Sequence, residues 1–175
     1  PQVAEVRGFT IINYKKQITL EELNEVLKNT PDDSDAEEGR EYMVIKSDKE
    51  LPQGKILMDN NNLINSPPLN NPQFADKKII EVAEQPFDKA VQIKANQEVE
   101  APSKIQVRLD GKHNIEKGDI MLIQLYARTI STESETEEGT IGCVLECKSQ
   151  LLYTKSLEAQ VSVGKEWKKF YFPFE

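Results

Sequence analysis

The sequence predicts an all-β fold, an antiparallel β-sandwich with one short N-terminal helix. Three observations predict it. Alternating apolar and polar residues recur in strand-length segments through the second half of the chain. Turn residues separate them: Gln85-Pro86, Ala101-Pro102, Asp110-Gly111, Lys117-Gly118-Asp119 and Val163-Gly164-Lys165. No helical pattern interrupts the series, and several short strands without helices between them make a sandwich or a barrel. A chain of 175 residues is one domain of ordinary size or a small domain with a long extension, and it can bury a core without disulfides or metal.

The elements follow in order. VRGFTIINY reads as a strand. ITLEELNEVLKNT reads as a helix over about 19–29. Thr19 is its N-cap, Glu22 stands at capping-box spacing, and Leu20, Leu23, Val26 and Leu27 recur at helical spacing. Asn29-Thr30-Pro31 ends it. EYMVIKS and GKILMD read as two short strands divided by a turn at Pro52. Residues 60–73 hold nine Asn or Pro among fourteen and read as a loop. The expected organisation is a strand–helix–strand extension over 1–59 that shares the sandwich or adjoins it, the loop 60–73, and the main sandwich over 74–175. IIEVAE, FDKAVQIKA, SKIQVRLD, DIMLIQLYARTI, GTIGCVLECKS, KSLEAQVSV and EWKKFYFPF supply its strands.

The net charge is −8, which argues against a duplex nucleic-acid partner and against an anionic membrane surface. Most of that charge sits in two stretches, 32–41 and 133–138; the rest of the chain is close to neutral. Both read as solvated loops. No apolar run approaches a membrane-spanning length. The chain opens at Pro1 without a charged-then-apolar leader, so a secretion signal is expected to be absent or already removed.

Cys143 and Cys147 share one strand. On one face of a strand they lie about 13 Å apart, beyond the roughly 7 Å between Cα atoms that a disulfide spans. They read as thiols facing the same layer. His113 is the single histidine, so a zinc site or a Cys–His nucleophile has little to draw on.

Alternation sorts the strand faces. Met121, Ile123, Leu125 and Ala127 share one face; Leu122, Gln124, Tyr126 and Arg128 share the other. Ile105, Val107 and Leu109 oppose Gln106 and Arg108. Phe170, Phe172 and Phe174 oppose Trp167, Lys169, Tyr171 and Pro173. The second faces are richer in Gln, Arg and amphipathic aromatics than a merely solvated sheet face.

QPFDKAVQI, KGDIMLIQLYARTIS and SVGKEWKKFYFPF together resemble the jelly-roll carbohydrate-binding modules attached to family 10, xylanase-type glycoside hydrolases. Lys117-Gly118-Asp119 with Tyr126-Ala127-Arg128, then Val163-Gly164 with Trp167-Lys168 and Phe172-Pro173-Phe174, stand in that family's order. The resemblance covers about 79–175. It implies a jelly roll whose glycan lies on the concave face or across edge loops, and it allows a structural calcium. With no EF-hand loop, scattered carboxylates and carbonyls would have to hold that ion.

Glycan recognition needs flat aromatic faces for the sugar's C–H surface and polar side chains for its hydroxyls. Gln124, Tyr126 and Arg128 share a face, and Gln106 with Arg108 on a neighbouring strand would share its outlook. The alternative for Arg128 is a supporting ion pair. Trp167 and Tyr171 are candidate stacking platforms, with core packing as the alternative. Tyr153, Tyr14, Tyr42 and Phe74 are further aromatics. No pair of carboxylates on stable elements and no nucleophile motif is evident, so catalysis is not expected.

The expected function is a non-catalytic carbohydrate-binding module of a secreted bacterial polysaccharide-degrading enzyme. It would bind plant cell-wall glycan such as xylan, sit beside a covalently adjoining catalytic domain, and work outside the cell, in the periplasm or at the cell surface. The alternative is a protein-interaction or spacer sandwich without a glycan ligand.

Overall fold

The computed structural model of the chain describes residues 2–28, 51–83, 88–148 and 153–175. Their elements are β1 (Gln2–Asn13), α1 (Leu20–Lys28), β2 (Lys55–Met58), α2 (Asn60–Ile64), β3 (Ala75–Glu81), β4 (Lys89–Ala95), β5 (Met121–Thr132), β6 (Gly139–Lys148), β7 (Tyr153–Val163) and β8 (Lys168–Phe174). The described residues are thus mostly strand, and every strand pair is antiparallel. The expected strand at 41–47 and the acidic stretch 32–41 lie outside them. No described helix is long and apolar enough to cross a membrane.

The larger sheet runs β3-β4-β1-β5-β8, and β2 pairs the C-terminal part of β1. β6 and β7 form a second, two-stranded sheet. The first strand of the chain therefore lies in the middle of the larger sheet, between β4 and β5.

One irregularity in β1 decides which side chains share a face. Gly8 has φ +58, a conformation that a side chain disfavours. There β1 bulges: Arg7 pairs Tyr126, yet Thr10 pairs Gln124. Three steps on β1 match two on β5, so the alternation changes phase. Glu5, Arg7, Thr10 and Ile12 consequently share one side, while Val6, Phe9 and Ile11 share the other.

The second side is the main core. Phe9, Ile11, Val91, Met121, Ile123, Leu125, Ala127, Phe172 and Phe174 are buried there. Ile141, Cys143, Leu145, Leu157, Ala159 and Val161 of the smaller sheet pack against them, so the two sheets form a two-layer β arrangement. On the first side, α1 covers one end: Leu23 meets Tyr14, Ile120 and Leu122, with Ile12 and Tyr171 alongside, and Val26 of the helix is buried as well. The capping box at its start forms. The backbone N–H of Glu22 donates to Thr19 Oγ1 at 3.1 Å, and that of Thr19 donates to Glu22 Oε2 at 2.9 Å.

Two expectations need correction. SKIQVRLD is not a strand: Pro102–Lys104 is a 3-10 turn, and the residues after it have no ladder partner among the described residues. The alternation itself is real, since Val107 and Leu109 pack on the core. Asparagine side chains stand in for a partner strand: Asn70 and Asn71 donate to the carbonyls of Ser103 and Lys104, and Asn70 accepts from the Gln106 N–H. Nor is 60–73 all loop. Asp59 caps α2 reciprocally with Asn62, and Leu63 and Leu69 are buried.

Candidate functional site

The pairing registers lay the uncovered part of the first side out in rows. One row reads Lys78, Gln92, Glu5, Arg128 across β3, β4, β1 and β5. The next reads Arg7, Tyr126, Lys169, and the next Thr10, Gln124, Tyr171. Trp167 precedes β8 and lies over the first two rows: its ring centroid is 4.1 Å from Arg7 Cζ and 4.8 Å from Arg128 Cζ. The structure thus brings five of the seven candidate residues together: Gln124, Tyr126, Arg128, Trp167 and Tyr171. Gln106 and Arg108 are not with them. Both are exposed on the unpaired segment, where Arg108 Nε donates to Asp110 at 3.0 Å.

The lower layer of this face is buried. Arg7 is 1% exposed, Glu5 2%, Tyr126 4% and Gln124 8%. Arg128 Nε donates to Glu5 Oε2 at 2.8 Å, and Gln92 Nε2 donates to Glu5 Oε1 at 2.8 Å. Each carboxylate oxygen of Glu5 therefore holds a donor, as a buried charge requires. Gln124 Nε2 donates to Thr10 Oγ1 at 3.2 Å. Lys169 Nζ lies 5.4 Å from the Tyr126 ring centroid and 5.2 Å from that of Tyr171. The upper layer, open in part to solvent, is Trp167, Lys169, Tyr171 and Arg128, whose side chain is 32% exposed.

Glu5 and Arg7 were not legible as site residues. The one available signal is that opposite charges occupy alternate positions of an otherwise apolar strand, QVAEVRGF. Reading the strand from Val6 cuts Glu5 off.

The other singled-out residues lie elsewhere. Tyr14 is buried under α1, and burial pushes its hydroxyl pKa up. Tyr153 opens β7. Phe74 is half-buried in the turn before β3. Tyr42 lies outside the described residues. Cys143 and Cys147 are free thiols. Burial pushes Cys143 up to about 11, which keeps its thiol protonated at neutral pH. Cys147, beyond the register shift after Leu145, is exposed instead of sharing Cys143's layer. The 133–138 stretch is an exposed turn that Glu137 ties to Lys165 by an ion pair.

Asp119 of the Lys117-Gly118-Asp119 turn is a structural pin at one end of the sheet. Its Oδ2 accepts from Asn13 Nδ2 at 2.8 Å, Lys15 Nζ at 2.9 Å and the Glu116 N–H at 3.0 Å. Burial pushes its carboxyl up, but these donors and the Lys15 charge outweigh it and hold the pKa at about 2.

A structural calcium would have to draw on scattered carboxylates and carbonyls of the described residues. No three carboxylate, imidazole or thiol side chains converge among them. Asp119 Oδ1 is buried without a hydrogen-bond partner among the described residues. A single carboxylate with an ammonium already on it is far from the six to eight oxygens that calcium takes.

Taken together, the face offers two partly exposed rings, a stacked guanidinium, an ammonium and amides on a rigid sheet. Among the described residues it holds no paired carboxylates set around an open position, nor a nucleophile with a base. Such an arrangement can bind and orient a polyhydroxylated or charged chain. No family model matches the chain, and no curated protein or solved structure matches it either.

Proposed function

We propose that the chain is a non-catalytic carbohydrate-binding module of jelly-roll type. In this reading it belongs to a secreted bacterial polysaccharide-degrading enzyme, works beside a covalently adjoining catalytic domain, and binds plant cell-wall glycan such as xylan. The observation that carries the reading is the convergence on one sheet face of Trp167, Tyr171, Arg128 and Lys169 above a buried polar layer. Flat rings suit the C–H faces of pyranose sugars, and the cations and amides suit their hydroxyls.

Affinity electrophoresis through gels containing xylan tests it, with the Trp167→Ala variant as comparison. Retardation of the wild type, reduced severalfold in the variant, is the expected result. Unretarded migration in xylan and in other cell-wall polymers overturns the reading.

A specific observation favours a second reading, a spacer sandwich with no glycan ligand. Glu5, Gln92 and Arg128 satisfy one another, and Trp167 stacks on two arginines of its own chain. In that case removing Trp167 lowers stability and no polymer retards the protein.

A further inference from the structure

The outward positions of the larger sheet are cationic although the chain is acidic. Among the described residues they carry Lys78, Lys94, Arg7, Arg128 and Lys169 against Asp76 and Glu5, in a chain of net charge −8. The glutamates of α1 lie over the other end of the same side. The basic positions lie in the three rows at the Arg128 end of this face, away from α1.

Arg128 is the centre of the positive end. It engages Glu5 through Nε alone, and its two terminal amino groups hydrogen-bond no described residue. Glu5 holds the base of the guanidinium and the Trp167 ring lies against it at 4.8 Å. With the Arg128 side chain 32% exposed, the free edge is left beside an aromatic surface. A planar pair of N–H donors matches the two oxygens of a carboxylate, and it does so better than it matches single hydroxyls.

Resting on the carbohydrate reading above, we propose that this face selects polysaccharide bearing carboxylate groups. A uronic acid residue would stack on Trp167 and place its carboxylate on the terminal nitrogens of Arg128. Lys78, in the row of Arg128 but three strands away, and Lys94, one row on and two strands away, would favour further acidic residues of the same chain.

The experiment compares glucuronoxylan with the same polymer after its carboxyl groups have been reduced to alcohols, by isothermal titration and affinity electrophoresis. Polyacrylate serves as a polyanion without sugar. The wild type should bind glucuronoxylan roughly tenfold or more tightly than the reduced polymer, and added salt should narrow that ratio. Equal affinity for both polymers overturns this inference and leaves the carbohydrate reading standing. Binding to neither overturns both. Equally tight binding to polyacrylate shows ion exchange only and also overturns it. Arg128→Gln should collapse the ratio, as should Arg128→Lys, which keeps the charge but loses the planar fork. If either variant fails to fold, Lys78→Gln with Lys94→Gln, both exposed, should lower the ratio without unfolding the protein; an unchanged ratio there counts against the inference.

Discussion

Removing Arg128 should cost more than the loss of one partly exposed ion pair, and the geometry says by how much. The Glu5 side chain is 3% exposed and that of Arg128 is 32% exposed. In Arg128→Met, Glu5 keeps only Gln92 of its two donors and remains a buried carboxylate. Breaking a buried pair from one side costs about 3–5 kcal/mol. Water entering beside the partly open Arg128 position trims this, so we expect about 2–3 kcal/mol. Glu5→Gln removes the charge instead, and its carbonyl can still accept from Arg128 Nε; the expected loss is about 1 kcal/mol. In the double variant no buried charge is left uncompensated, so its loss should fall well short of the sum, with a coupling of about 1–2 kcal/mol. The Trp167 contact to Arg128 is lost with and without Glu5 and drops out of the cycle. Urea denaturation at neutral pH measures all four proteins. A double variant whose loss equals the sum of the singles within about 0.5 kcal/mol refutes the reasoning.

Two other predictions concern the frame that holds the face. Asp119→Asn should destabilise the protein by about 1–2 kcal/mol at pH 7, the linkage from 3.8 down to about 2 reduced for the solvent around the 42%-exposed Lys15. Because the folded pKa is depressed, that stability is present above about 4 and is lost as pH falls toward about 2; denaturation across that range should show the gap to wild type closing, and a constant gap argues against the pin. Gly8→Ala, at φ +58, should cost about 1–2 kcal/mol, read from the shift of the urea midpoint; an unshifted midpoint would mean that the bulge is not held by glycine.

The sequence made the strands legible because most of them have one apolar face and end at turn residues. β5 is the instructive case. Its two faces were sorted correctly, yet Met121 to Ala127 are all buried, since α1 and Trp167 cover what alternation marks as the outer side. Coverage by a distant element leaves no local trace. The bulge at Gly8 was invisible for a related reason: a single glycine in a strand fits a bulge, a bend or nothing, and only the β5 register decides. That one residue determines that Arg7 and Thr10 face the same way. The segment 105–109 shows the converse. Its alternation was genuine, but alternation reports burial of one side, not the presence of a hydrogen-bonded neighbour. Gln106 and Arg108 were misplaced by taking the first for the second.

The burial gradient across the face assigns different roles to residues that one sequence pattern treats alike. Tyr126 and Gln124 lie too deep to contact a ligand, so truncating Tyr126 should lower stability whether or not the face binds anything. Trp167, Tyr171 and the free edge of Arg128 are the groups a ligand can reach. Arg128 belongs to both layers, through Nε below and its terminal nitrogens above. Its removal therefore confounds binding with folding, while the double variant with Glu5→Gln, whose expected stability loss is smaller than the sum, separates them. If that variant folds near wild-type stability and has lost selective binding, the terminal nitrogens recognise ligand. If it folds and binds unchanged, Arg128 serves the sheet alone, and recognition falls to Trp167 and Tyr171.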